Sequence, residues 1–195
     1  LAYWLAQFGV TGLADLNGMF AFAFWDRKER TLLLARDRIG IKPLYVAPRG
    51  RALVFWSEIN AMLPFLPRCE PDVKALYEFV TFQQTISERT VFSGVSRLLP
   101  GRWLKWTPED LSEGSYWDLS IAHTFQGTHA DAVEHYRSLL DAAVKRQMIS
   151  NVPLGSHLSS GLDSSAVATL AARHAPSKLA TFTGAFTDSD YYDER

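Results

Sequence analysis

Between residues 20 and 24 large and small apolar side chains alternate: Phe20, Phe22 and Phe24 are separated by Ala21 and Ala23. A period of two is the signature of a β-strand. A polar run, Asp26-Arg27-Lys28-Glu29-Arg30, follows, and then a second apolar stretch over 31–35. The pattern predicts a hairpin with its large aromatics on one face. The alanines predict that the other face is covered too, so the sheet is expected to be buried on both sides. Further strands are expected at 44–47 and 52–56, and short ones across 90–106, interrupted by Leu99-Pro100-Gly101. Helical spacing marks two other segments of this half. Leu1, Trp4, Leu5 and Phe8 share it, with Gly9 placed as a stop. Over 72–82, Val73, Leu76, Tyr77 and Val80 fall on one stripe.

The pattern changes after Trp117. Residues 118–128 read as a linker. A long helix follows, with Val133, Tyr136, Leu139, Leu140, Ala143, Val144 and Met148 on one 3.6-period face. Thr128 and Asp131 offer a capping pair at its start, and Asn151 and Pro153 mark its end. Next come a short strand at 154–158, a small-residue loop at 159–163, an alanine-rich helix at 164–173 and a strand at 179–186. Strand, helix, strand predicts a parallel pair with a right-handed crossover. No internal repeat or low-complexity tract interrupts the chain.

With 195 residues the chain is long enough for one ordinary domain or two small ones. Lys plus Arg is 20 and Asp plus Glu is 21, a net charge of -1. No large basic field is present to hold nucleic acid or anionic lipid by charge, so neither is expected as a partner. Cys69 is the single cysteine, which excludes an internal disulfide and a cysteine-rich metal site. It sits in Pro67-Arg68-Cys69-Glu70-Pro71 with no base nearby in sequence, and reads as an incidental thiol. The longest apolar run, 19–25, is far short of the roughly 20 residues that span a bilayer. No secretory leader opens the chain, so a soluble cytoplasmic protein is expected. Because no N-cap precedes Leu1 and no closing element follows Tyr191, both ends are expected to be cut from a longer protein.

The segment Ser159-Ser160-Gly161-Leu162-Asp163-Ser164-Ser165 carries the candidate chemistry. It lies between a predicted strand and a predicted helix. Main-chain amides at a helix N-terminus are unsatisfied and the helix dipole favours an anion there. Small residues let a phosphate approach the backbone, and four serine hydroxyls add donors. Asp163 repels phosphate but suits a Mg²⁺ ion that bridges to phosphate oxygens. The carboxyl end of a parallel strand is also where open α/β sheets place ligands. No lysine lies between Gly155 and Ala172, which excludes a kinase-type P-loop, and the dinucleotide G-x-G-x-x-G is absent. A serine-rich turn that caps its own helix and binds nothing satisfies the same spacing. His157 reads as a core histidine in a buried strand. His123, His129, His135 and His174 lack metal-ligand spacing. Asp37, between Arg36 and Arg38, reads as structural at a strand end.

The loop resembles the pyrophosphate-binding S-G-G-x-D-S loop of N-type ATP pyrophosphatases. The longer run from Asn151-Val152-Pro153-Leu154-Gly155 through Ser165 is similar to glutamine-hydrolysing asparagine synthases. So are Leu16-Asn17-Gly18-Met19-Phe20-Ala21-Phe22-Ala23, Arg36-Asp37-Arg38-Ile39-Gly40-Ile41-Lys42-Pro43-Leu44-Tyr45, Ser57-Glu58-Ile59, Leu99-Pro100-Gly101, Tyr116-Trp117-Asp118, Phe182-Thr183-Gly184 and Tyr192-Asp193-Glu194. The resemblance runs in order along nearly the whole chain.

It implies an α+β fold, a partial αββα class II glutamine amidotransferase sandwich over 1–117, then a linker at 118–128. An α/β part follows over 129–195, the start of an adenine nucleotide alpha hydrolase-like parallel sheet. The implied activity is ATP-dependent amidation of aspartate through β-aspartyl-AMP, with ammonia from glutamine. ATP and Mg²⁺ are the implied cofactors; aspartate, glutamine and ATP are the substrates, and the full-length enzyme is expected to be a homodimer. Carried over by position, Ser159, Ser160, Gly161, Asp163, Ser164 and Ser165 form the pyrophosphate loop and Asp163 is the metal ligand. Leu158 matches a position that contacts the ATP base, and Gly184 another ATP-contacting position that is usually a larger aliphatic residue. Ser160 stands where the family's loop has its first glycine. The family's glutaminase nucleophile is an N-terminal cysteine, which Leu1 is not, so no catalytic residue is assigned and the chain alone is expected to be inactive. A related amidotransferase or β-lactam-forming synthetase with another carboxylate substrate, or a non-catalytic interaction module, shares these motifs.

Overall fold

The computed structural model describes residues 1–66, 70–122 and 125–184. It divides into two compact units, Leu1–Ile121 and Ala122–Arg195. Cys69, His123, Tyr192, Asp193 and Glu194 lie outside the described residues.

The first unit opens with α1 (Ala2–Phe8), which ends at Gly9 with φ +54° and passes into a 3-10 turn at Gly9–Asp15. Then come β1 (Ala21–Asp26), β2 (Thr31–Arg36), β3 (Tyr45–Arg49), β4 (Ala52–Trp56), the short α2 (Ile59–Met62), α3 (Val73–Phe82), β5 (Ser96–Arg97), β6 (Arg102–Trp106) and β7 (Leu111–Ser115). The expected hairpin is β1 with β2, antiparallel, Ala21 opposite Arg36 and Asp26 opposite Thr31. Its sheet continues in the order β1-β2-β6-β7, and a second sheet runs β4-β3-β5.

Residues that alternate along each strand feed different layers. Leu34 and Leu104 from one sheet meet Val46 from the other, with Leu44 and Leu98, in one buried cluster, so the sheets face each other. On β2 the neighbours of Leu34, Leu33 and Ala35, point the opposite way. They join Leu5 and Leu13 in a second cluster, where Phe20, Phe22 and Phe24 also pack. Beyond the other sheet, Ala47, Met62 and Val95 form a third, flanked by Ile59 and Val54. The layers are helix, sheet, sheet, helix. Burying apolar surface on both sides of both sheets is the main source of stability in such a stack.

Two-sided burial holds on β2 and stops at β1. Ala21 packs into the intersheet cluster, but Ala23 and Trp25 are exposed. β1 is one edge of its sheet, and β4 is one edge of the other. An apolar cavity of about 500 Å³ there is lined by Ala21, Ala23, Leu53, Phe55, Trp56 and Phe65.

The helix expected over 72–82 forms, with Asp72 as its N-cap accepting from the amides of Lys74 and Ala75. Arg89 pairs with the other Asp72 oxygen at 2.7 Å. Its apolar stripe, however, faces outward. Val73, Tyr77 and Val80 are exposed, Val80 at 81%, while Ala75 is fully buried. Periodicity locates a stripe, but not which side of the helix the rest of the chain covers.

In the second unit, α4 (His129–Gln147) starts at the expected capping box. Asp131 donates its amide to the Thr128 hydroxyl at 3.3 Å, and the Asp131 carboxylate accepts from the Thr128 amide at 2.9 Å. The Thr128 hydroxyl also donates to that carboxylate, at 2.7 Å, and with the Thr128 amide it holds the Asp131 carboxyl below its ordinary value, the hydroxyl contributing most. After β8 (Gly155–His157), α5 (Leu162–His174) and β9 (Ala180–Phe182), β8 and β9 pair in parallel. His174 Nε2 lies 2.8 Å from Asp141 Oδ1, tying the end of α5 to α4. Two expectations are corrected. α5 begins at Leu162 rather than 164, because Gly161 at φ −74° and ψ 152° serves as its N-cap. His157 is exposed and not a core residue, because nothing among the described residues covers its side of this two-stranded sheet. No helix among the described residues is long and apolar enough to cross a membrane.

Candidate functional site

The serine-rich loop joins the carboxyl end of β8 to the N-terminus of α5, in a parallel strand–turn–helix setting. Leu158 leaves the strand half-buried, its amide donating to the Phe182 carbonyl at 2.9 Å. Ser159 and Ser164 then close the loop. The Ser159 amide donates to the Ser164 hydroxyl at 3.2 Å, and the two hydroxyls lie 2.8 Å apart. Ser164 Oγ also reaches the Ser159 and Gly161 carbonyls, both at 3.1 Å. The Ser165 hydroxyl donates to the Gly161 carbonyl at 2.8 Å, alongside its amide at 3.2 Å.

These bonds use hydroxyls to hold carbonyls inside the turn. They leave the first-turn amides of Leu162, Asp163 and Ser164 without a side-chain cap. Such amides need an outside acceptor, and an anion is the best one. Ser160, Gly161 and Asp163 are exposed. Ser160, which stands where a glycine was expected, carries no strain: positive φ among the described non-glycine residues is confined to Arg30 and Gln83. Gly161 also has an ordinary φ, but a Cβ on it would sit 3.2 Å from Ser159 Oγ, so glycine leaves room for the Ser159 clasp. The Asp163 carboxylate makes no hydrogen bond or ion pair among the described residues. Gly184, exposed with open space around it, lies just past the end of β9.

The eight expected residues thus cluster at one end of the β8–β9 pair. Thr183 was not singled out by sequence: its hydroxyl donates to the Leu158 carbonyl at 2.6 Å. Only the pairing of β8 with β9 makes that contact, across 25 positions of chain.

Other polar clusters are structural. Asp37, 1% exposed, accepts from the amides of Phe20, Ile39, Ile41 and Lys42 at 3.3, 3.2, 2.9 and 3.0 Å. Burial opposes its charge, but the amides aimed at it prevail and hold its carboxyl below the ordinary range. Arg36 donates to the carbonyls of Lys42, Leu98 and Gly40. The pair therefore fastens loop segments, as expected from sequence. No group of three or more His, Cys, Asp or Glu able to hold a metal occurs among the described residues.

The family model described as "Glutamine amidotransferase domain" matches residues 1–117, and "Asparagine synthase" matches residues 135–195. Asparagine synthetase [glutamine-hydrolyzing] 3 of Bacillus subtilis is 36% identical, over 91% of this chain and 30% of its own length. Asparagine synthetase [glutamine-hydrolyzing] 2 of the same organism is 34% identical, over 93% of this chain and 26% of its own. Amidase chyE of Penicillium rubens is 33% identical, over 96% of this chain and 30% of its own. The chain spans about a third or less of these relatives' lengths.

Proposed function

The chain belongs to the glutamine amidotransferase domain family, and from that premise we propose that it is part of a cytoplasmic, ATP-dependent, glutamine-hydrolysing asparagine synthase. Residues 129–195 are read as the start of the adenine nucleotide alpha hydrolase-like synthetase domain. The reading is carried by one observation: the uncapped, exposed first turn of α5 at the carboxyl end of a parallel strand. That turn falls inside the stretch that matches the asparagine synthase family.

In the proposed reaction an aspartate side-chain oxygen attacks the α-phosphorus of ATP and pyrophosphate leaves, forming β-aspartyl-AMP. Ammonia hydrolysed from glutamine attacks the acyl carbon, loses a proton and displaces AMP, giving asparagine. The resistant carboxylate is made electrophilic by its anhydride with AMP. The amides of Leu162, Asp163 and Ser164 are placed to accept charge that develops on the departing pyrophosphate. The hydroxyl clasp of Ser159 and Ser164 holds them ready, so little reorganisation is needed. Leu158 and Gly184 flank the loop as the ATP-contacting positions. Ser160, Gly161 and Ser165 complete it.

Mg²⁺ fits this loop as a partner of the phosphates. It is commonly held by one or two carboxylates with phosphate oxygens and water, and Asp163 is an exposed, uncommitted carboxylate on the first turn. Bound there, the ion would neutralise phosphate charge.

Calorimetric titration with Mg·ATP tests the site. Wild type is expected to bind and Asp163→Ala to bind about tenfold more weakly, the loss of one charge-assisted contact. Equal affinities would remove Asp163 from its role, and no binding by wild type would remove ATP from the loop. The similarity to Amidase chyE over 96% of the chain favours a second reading, with another acceptor carboxylate. In the full-length enzyme that contains this chain, aspartate-dependent release of pyrophosphate from ATP supports the first; release that requires a different carboxylate supports the second.

A further inference from the structure

The parallel pairing of β8 and β9 matches Gly155 with Ala180, Ser156 with Thr181 and His157 with Phe182. It extends one bond further, from the Leu158 amide to the Phe182 carbonyl at 2.9 Å. A regular parallel ladder would next send the Gly184 amide to the Leu158 carbonyl. Among the described residues that bond is not made. The Thr183 hydroxyl takes the carbonyl instead, at 2.6 Å. A side chain therefore ends the ladder where the chain turns into the serine loop, and it leaves the Gly184 amide out of the sheet. Gly184 has no side chain and nothing within 4 Å of the place where a Cβ would stand.

We propose that Thr183 is a positioning residue for the nucleotide: its hydroxyl satisfies Leu158, stops β8 and β9 from zipping together, and keeps the gap between Leu158 and Gly184 open. This inference rests on the reading of the loop as an ATP site. The energetic logic is one of competition. An exposed carbonyl at a strand end takes its donor from the chain or from water, and a donor from the facing chain sets the spacing of the two chains beyond it. The threonine hydroxyl reaches across on its own side chain, whereas the Gly184 amide would bring the two backbones into direct contact.

The test compares wild type with Thr183→Val and Thr183→Ser by Mg·ATP calorimetry and by hydrogen exchange at the Gly184 amide without nucleotide. Valine has the shape of threonine at an exposed strand end but cannot donate; serine keeps the hydroxyl. Thr183→Val is expected to slow exchange at Gly184, as its amide joins the ladder, and to weaken Mg·ATP binding about tenfold. Thr183→Ser is expected to match wild type in both. Unchanged Mg·ATP affinity in Thr183→Val beside a wild type that binds, or unchanged exchange at Gly184, would overturn the proposal. A wild type that does not bind Mg·ATP would instead overturn the reading of the loop, while the exchange comparison still decides whether Thr183 stops the ladder.

Discussion

The Tyr116 hydroxyl donates to the Arg36 carbonyl at 2.7 Å, joining residues eighty positions apart. Arg36 in turn holds the carbonyls of Lys42, Gly40 and Leu98, and the Gly101 amide donates to the Asp37 carbonyl at 3.0 Å. Segments after β2, before β6 and after β7 are thus fastened at one point. Burial pushes the Tyr116 hydroxyl up from 10.0 to about 12, the charge of Asp37 adds to the rise, and Arg38 opposes it.

That shift gives an alkaline signature. A group whose value is raised on folding contributes fully below its unfolded value and loses the contribution as pH climbs through its folded value. For Tyr116 the loss should run from pH 10.0 to about 12. Tyr116→Phe should lower stability by about 1 kcal/mol at neutral pH, one neutral hydrogen bond. The difference from wild type should shrink across the same alkaline window. Urea midpoints of both proteins over pH 8–12 measure it, and a pH-independent difference would contradict the assignment.

Gly101 and Gly18 should respond oppositely to alanine. Gly101 has φ +65°, and a Cβ there would clash with the Trp117 carbonyl oxygen. Backbone strain and the clash together should cost about 2 kcal/mol or more. Gly18 has no positive φ and nothing within 4 Å of its would-be Cβ. Gly18→Ala should be neutral or slightly stabilising, since it narrows the unfolded ensemble. Thermal unfolding of the two single variants compares them directly.

A third contrast separates core from stripe. Leu34 is fully buried where the two sheets meet, so Leu34→Ala should destabilise by about 2–5 kcal/mol. Val80 is 81% exposed on α3, so Val80→Ala should stay within about 0.5 kcal/mol. Denaturant unfolding gives both; a large loss at Val80 would mean that the stripe is covered in the folded protein.

Local chemistry was legible where neighbours along the chain supply the whole signal. The Thr128–Asp131 cap needs only residues three apart, and it forms. The alternation from Phe20 to Phe24 and the polar run after it define a hairpin whose turn follows directly, and β1 and β2 pair as expected. The strand–loop–helix setting of Ser159 to Ser165 is likewise carried by consecutive residues. The outward turn of Val73, Tyr77 and Val80 was not legible, because a helical period is the same whichever face the rest of the chain leaves uncovered. His157 was misread for the same reason: its exposure depends on what lies over the sheet.

Residue order alone determined the kinds of elements, the small-residue loop before α5 and the hub residues Arg36 and Asp37, since propensity, capping and periodicity act over a few positions. Tertiary structure decided which faces are buried, which donors satisfy Asp37, and that Thr183 meets the Leu158 carbonyl. Those outcomes depend on strands and loops distant in sequence being brought within hydrogen-bond reach. Directional bonds between them form only when the whole sandwich, or the parallel pair, has closed.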